Sequence, residues 1–318
     1  MGQAIPRDKA VSSVYFVYMA IATFGLVTNT LFLMVCLGFK RLRTSCRLYM
    51  AIAFADGVLC FAFLTTGYVR TRELQDKPSL VSYKSSTICA SEYNVALLTF
   101  GSLCPAFLTF YMGFERFLSV KWIHIWDILR CQNTLSIVII YMFSMASVAL
   151  GVIYGLAFLQ NEMTPICSYS GSYGVAFGTY IYLATILSHV LGFVFTLLAW
   201  KEIRLCQPRE YTRKQKKDLA MIRLTLCATA SCLILVVGPN GFLYYMRYGT
   251  ASTVLAGLLY SAFCFRSSLN LFIFGIMNSE FRKCLMLKFT SRRVEVTNTH
   301  TANVEQARPV ATGCSYPH

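Results

Sequence analysis

Residues 103–120 read LCPAFLTFYMGFERFLSV, an almost wholly apolar run that closes on the charged pair Glu115-Arg116, set between Phe114 and Phe117. A charged pair at the end of a long apolar helix belongs where hydrocarbon meets water. There a charge costs less than the roughly 2.5–3.5 kcal/mol of burial at the membrane centre, and it can take a switching role. The rest of the chain reads as a bundle built around that helix.

The bulk properties agree. Hydrophobic residues make up 56% of the 318 positions and charged residues 14%, with a mean hydropathy of +0.54. Soluble domains run at about 45–50% apolar and about 25% charged. The apolar residues gather in seven blocks, near 13–37, 47–69, 88–120, 134–158, 174–200, 219–246 and 252–277. Each is long enough to cross about 30 Å of hydrocarbon as a helix, the form that satisfies its own backbone in lipid. The expected fold is therefore all-α, a seven-transmembrane helix bundle spanning 13–277. After it, 278–289 reads NSEFRKCLMLKF, with Phe281, Leu285 and Phe289 on one face and Arg282, Lys283 and Lys288 around them. That is a short amphipathic helix for the membrane surface. The segment 1–12 is expected to be a short extracellular N-terminus with no cleavable signal, too short for a large-ligand ectodomain. The Thr/Asn-rich residues 290–318 are expected to form a disordered cytoplasmic tail. There is no internal repeat.

A net charge of +15 raises nucleic acid as a partner. The basic residues are split between the blocks instead of forming one patch, which suits the inner face of an anionic membrane better, so no nucleic-acid partner is expected. Arg7, Lys9, Arg70, Arg72, Lys77, Lys84 and Arg247 fall on one side, and twenty of the 29 Lys and Arg residues fall on the other. The bias puts the N-terminus outside and the C-terminus in the cytoplasm. Of 13 cysteines, this topology leaves Cys89, at the start of helix three, and Cys167, in the loop between helices four and five, facing outside. A disulfide between them would close a long loop and add roughly 3–5 kcal/mol by the chain-entropy estimate. The alternative is two free thiols in an irregular loop.

Several motifs, in order, resemble those of the rhodopsin-like G-protein-coupled receptors. They are Asn29 in GLVTNTLFL, Asp56 in MAIAFADGVLC, Glu115-Arg116-Phe117, Pro239 in helix six, and Asn270-Leu271-Phe272-Ile273-Phe274 in helix seven. The resemblance runs from Ser13 to Phe289. The stretches LRTSCRLYMAIAFAD, FERFLSVKW and MNSEFRKCL are similar to nematode serpentine chemoreceptors of the SRSX type. The chain departs from the receptor pattern at Leu271 for Pro, Phe274 for Tyr, Phe117 for Tyr and Val237 for Trp, with no Trp in helix four and no Pro in helix five. Phe274 has no hydroxyl to join the family's Tyr–water network.

On its residues alone, Glu115–Arg116 reads as a helix-end anchor. The resemblance implies a switch in which Arg116 pairs with its acidic neighbour at rest and contacts a heterotrimeric G protein when active, with Phe117, Asn270 and Phe274 in the same machinery. Asp56 and Arg266 lie inside apolar blocks near the midplane, so each needs a partner. The resemblance implies sodium on the helix-two Asp. Pro105 stands where a Ser would assist the ion, and Arg266, one turn before Asn270, is expected to replace the sodium by pairing with Asp56. Pro239 should kink helix six by removing a backbone hydrogen bond. The basic run Arg213–Arg223 should face the membrane and the partner protein. Ligand-pocket candidates are Asn94, Leu98, Thr99 and Ser102 on helix three, Asn240 and Tyr244 on helix six, and Tyr260 and Cys264 on helix seven. Leu98 falls where the family's amine receptors carry an Asp, so the expected ligand is a small, weakly polar non-amine. Cys284 is a candidate for palmitoylation, with an unmodified thiol as the alternative.

The expected function is a chemosensory G-protein-coupled receptor, with a seven-helix ion channel or a non-coupling orphan receptor as the alternative. Channels of the insect odorant-receptor kind keep the N-terminus in the cytoplasm, against the charge bias. A transporter would carry repeats and midplane sites. The scattered His124, His189, His300 and His318 indicate neither an enzyme nor a metal site, and no cofactor is expected. The expected partners are a G protein, a small molecule and membrane lipid. Oligomeric state is not legible.

Overall fold

A computed structural model describes residues 9–76, 84–122, 133–159, 163–164, 167–205, 213–246 and 253–289. The tail 290–318 and the segment 1–8 lie outside the described residues, as do Arg7, Lys77, Arg130, Arg209, Arg247, Arg292, Arg293 and Arg308 of the charge count. The chain folds as an all-α bundle. Among the described residues, seven helices are long and apolar enough to cross a membrane. They are α1 (Lys9–Gly38), α2 (Arg47–Asp76), α3 (Tyr93–Lys121), α4 (Asn133–Phe158), α5 (Tyr169–Leu205), α6 (Arg213–Met246, in three parts) and α7 (Thr253–Met277), followed by α8 (Ser279–Phe289).

Burial shows how they are arranged. The most apolar window of α3 is 61% buried and that of α4 only 22%, so α3 is central and α4 peripheral. The outward residues of α4, among them Ile139, Met142, Phe143, Leu150 and Ile153, are large and apolar. Asn29, Asp56, Glu115, Arg266 and Asn270 are buried inside. Apolar outside and polar inside is the arrangement that hydrocarbon as solvent demands.

Backbone contact sets the spacing of α3. A Cβ on Gly113 would run into the carbonyl of Gly192 on α5, and one on Gly101 would stand 2.7 Å from Leu59 Cα on α2. Small residues at membrane helix interfaces serve this close approach. One hydrophobic cluster, with Leu59, Phe63, Leu103, Tyr169, Tyr173 and Phe263, fills the end that carries the disulfide. A second, with Phe32, Tyr49, Met112, Phe274 and Phe281, fills the opposite end. There α8 packs Phe281 against Phe32 and Phe274.

Three local features differ from the sequence expectation. The third apolar block is not one helix from residue 88. It breaks at Glu92, whose φ −67 and ψ 117 are extended, into a one-turn helix Ser86–Ser91 and α3. The Ser85 side chain caps that turn by accepting from Ile88 N at 3.3 Å. Cys89 therefore belongs to the short helix and not to the start of α3. Second, α5 begins at Tyr169 and changes direction at Gly174, whose φ of 79° is left-handed and suits glycine. Third, α6 does not simply kink at Pro239. Arg213–Cys232 opens into a π turn, Leu233–Val237, in which Gly238 N donates to Leu233 O, and Gly238–Met246 resumes the helix. Pro239 has no N–H for a carbonyl four residues back, and the wider turn absorbs the mismatch.

Candidate functional site

Helices α2, α6 and α7 meet around Asp56 and Arg266, which are 1% and 4% exposed. Arg266 Nη1 donates to both carboxylate oxygens, at 2.8 and 2.7 Å. Asn270 Nδ2, one turn along the same face of α7, donates to Asp56 Oδ2 at 2.8 Å. Arg266 Nε donates to the sulfur of Cys232 on α6 at 3.1 Å. One guanidinium thus ties three helices, and a guanidinium cannot shed its charge to escape burial. Nothing in the sequence marked Cys232 for this role.

Beside the pair lies a small cavity lined in part by Ser102, Thr185, His189 and Asn240. Its volume is about 20 Å³, room for one water-sized molecule and no organic ligand. Two pocket candidates, Ser102 and Asn240, line this space, and Ser102 Oγ also meets Tyr169 Oη at 2.7 Å.

A larger cavity of about 120 Å³ opens at the disulfide end between α1, α2, α3 and α7. Leu98 and Tyr260 line it, and Tyr260 Oη lies 2.9 Å from Tyr182 Oη. The other four candidates line neither cavity. Thr99 turns its hydroxyl onto Val95 O at 2.9 Å. Asn94 accepts from Val95 N at 3.1 Å and reaches Thr66 at 3.5 Å. Tyr244 packs edge-on to Tyr182, and Cys264 is buried in the neighbouring hydrophobic cluster. Even spacing along α3 did not distinguish a residue facing the cavity from one facing its own backbone. The reading also missed Arg70, which lines the cavity and is 8% exposed.

The cavity mouth is tied by the Cys89–Cys167 disulfide, with Cα atoms 5.1 Å apart, and by ion pairs. Arg70 Nη1 donates to Glu73 Oε2 at 2.9 Å, and Lys84 Nζ donates to Glu73 Oε1 and Glu92 Oε1, each at 2.6 Å. Burial alone would lower the Lys84 pKa, but its hydrogen bonds to the two carboxylates reverse that and hold it above the ordinary lysine value.

At the opposite end Arg116 Nη2 stands 3.9 Å from Glu115 Oε2. Phe117 turns away, packing on Phe195 of α5 and on Trp122. Phe274 lies in an aromatic cluster with Phe32, Tyr49 and Phe281. A hydroxyl bridge at this end joins Tyr49 on α2 to Thr225 on α6, at 2.5 Å. Of the basic run 213–223, the side chains of residues 213–218 lie outside the described residues, and Arg223 is exposed. Cys284 is half-buried on α8. Burial first, then Glu280, push its thiol pKa above the ordinary value.

The fold and this interior define the chain as a multi-pass helical membrane protein with a polar centre and a small-molecule-sized cavity at one end. No family model matches the chain, and no curated protein matches it significantly.

Proposed function

We propose that this protein is a receptor of the rhodopsin-like, G-protein-coupled kind. In this reading it sits in the plasma membrane with its N-terminus outside, binds a small non-amine chemosensory ligand and activates a heterotrimeric G protein. The observation that carries the reading is the course of α3. Its Leu98 lines the cavity at the disulfide end, and its Glu115–Arg116 pair stands at the other. Between them the Asp56–Arg266 pair joins α2, α6 and α7 in the place the family resemblance gives to sodium. The basic-residue bias supports the orientation, because it puts the disulfide on the oxidising side.

The mechanism is a population shift between two bundle states. At rest, Tyr49–Thr225 and the Arg266–Cys232 contact hold α6 against α2 and α7. The π turn above them is the hinge. A ligand that draws the upper parts of α1, α2, α3 and α7 together favours the state in which the lower half of α6 swings outward. Arg116 then leaves Glu115 for the G protein.

The test is G-protein dissociation in cells expressing the chain or Arg116→Ala at matched surface levels, with a panel of small volatile and water-soluble compounds. Basal or ligand-driven dissociation that disappears in Arg116→Ala is the expected outcome. A signal of equal size in both would refute the role of Arg116. Silence in both at good surface expression would point to a non-coupling receptor.

A further inference from the structure

Among its described lining residues the larger cavity has one charged side chain, and the charge is positive. That lining includes no Asp or Glu. Of the ion-paired residues Arg70, Glu73, Lys84 and Glu92, only Arg70 lines the cavity. The Glu73 carboxylate is shared, one oxygen taken by Arg70 Nη1 at 2.9 Å and the other by Lys84 Nζ at 2.6 Å. Arg70 Nη2 is buried and makes no hydrogen bond. A buried cationic donor without an acceptor is costly unless something supplies one. The lining also carries the hydroxyl side chains of Tyr15, Tyr18, Thr66, Ser168, Tyr169 and Tyr260, and its apolar part includes Val14, Phe63, Val95 and Leu98.

We propose that this cavity binds a small monocarboxylate with an apolar body, one carboxylate oxygen accepting from Arg70 Nη2 and the body lying against Phe63, Val95 and Leu98. The inference names the ligand class of the proposed receptor and so rests on that reading for its signalling meaning, but binding itself is independent of coupling. A guanidinium suits the task because it stays charged and presents its donors in a plane. Glu73 holds that plane by occupying Nη1, leaving Nη2 for the ligand. The cavity, at about 120 Å³, approaches the ~150 Å³ of a dry cavity known to take benzene. An acid with a single ring or a short chain is therefore the right scale. A cationic ligand would meet Arg70 with no counter-charge in the described lining.

The experiment uses the full-length chain in neutral-lipid nanodiscs. Its unfolding temperature is followed against concentration of benzoate and hexanoate, with benzamide and hexanamide as uncharged matches, at constant ionic strength. The acids should raise the unfolding temperature at concentrations at least tenfold below the amides. Arg70→Gln should weaken the acids roughly ten- to hundredfold, the value of a hydrogen bond to a charged group, and leave the amides unchanged. Arg70→Lys, which keeps the charge and can still meet Glu73, should fall between. Leu98→Trp fills the cavity without touching the ion pairs and should remove the response to every probe, which also decides the question if Arg70→Gln fails to fold. Equal potency of acids and amides, an undiminished acid response in Arg70→Gln or Leu98→Trp, or no shift with either acid each overturns the proposal. Failure of coupling would instead appear at Arg116 in the cell assay, with acid binding intact.

Discussion

Replacing Asp56 by Asn changes one atom in kind and leaves the Arg266 guanidinium buried at 4% exposure with no anion. The substituted amide could still accept from Asn270, so the loss is electrostatic: the two charged contacts from Arg266 Nη1, at 2.8 and 2.7 Å. Breaking a buried pair from one side costs about 3–5 kcal/mol. At roughly 2–4 °C per kcal/mol, the apparent unfolding temperature should fall by about 6–20 °C. Arg266→Leu should be milder, because an abandoned carboxyl can take up a proton and an abandoned guanidinium cannot lose one. The double variant Asp56→Asn/Arg266→Leu removes both charges and keeps the Asn270 bond. It should be more stable than Asp56→Asn alone, with a coupling energy of about 1–3 kcal/mol. The assay is heat-induced loss of the monodisperse peak of micelle-purified protein, with all variants heated at one rate because unfolding of such proteins is commonly irreversible. A double variant no better than Asp56→Asn, or an Asp56→Asn variant whose unfolding temperature matches wild type, would refute the view that the pair organises the centre.

Exchanging sodium for choline at fixed ionic strength should leave the wild-type unfolding temperature unchanged, since Arg266 Nη1 already fills both carboxylate oxygens; a rise of several degrees in sodium would show that the ion competes for Asp56. Cys89→Ser and Cys167→Ser should each cost about 2–5 kcal/mol, and the double variant should be no worse than either; additive losses would sink the bond. Gly113→Ala should cost about 1–3 kcal/mol by overpacking, because its new Cβ meets the Gly192 carbonyl; unchanged thermal stability would mean α3 and α5 separate easily. Tyr49→Phe deletes the bond to Thr225, costs about 0.5–1.5 kcal/mol and should raise basal G-protein signal a few-fold; a lower basal signal would contradict its role as a restraint on α6.

Much of the fold can be read in one dimension because hydrocarbon constrains each helix separately. A helix in lipid must satisfy its own backbone and carry apolar residues over its whole length, so α1 to α7 appear as blocks in the sequence whatever their neighbours are. The same solvent makes Asp56 and Arg266 conspicuous: a charge inside an apolar block needs a partner, and few were on offer. What the sequence by itself determined is therefore the number of spans, their approximate limits, and the positions where ionised groups demand a partner.

Rotation and contact between helices depended on tertiary structure. Asp56 and Arg266 are 210 residues apart, and no local pattern says that Cys232 takes the third side of the guanidinium. Thr99 and Leu98 are adjacent and look equally eligible for a pocket, yet one bonds Val95 O and the other lines the cavity. Arg70 counted in the sequence as one more basic residue near a helix end. Only the packing of α1, α3 and α7 around it, with Glu73 holding one of its nitrogens, turned it into the charge of a binding cavity. The lipid requirement acts on each residue through its own helix, whereas a site forms from side chains on several helices, whose rotations are set by packing contacts between residues far apart in sequence.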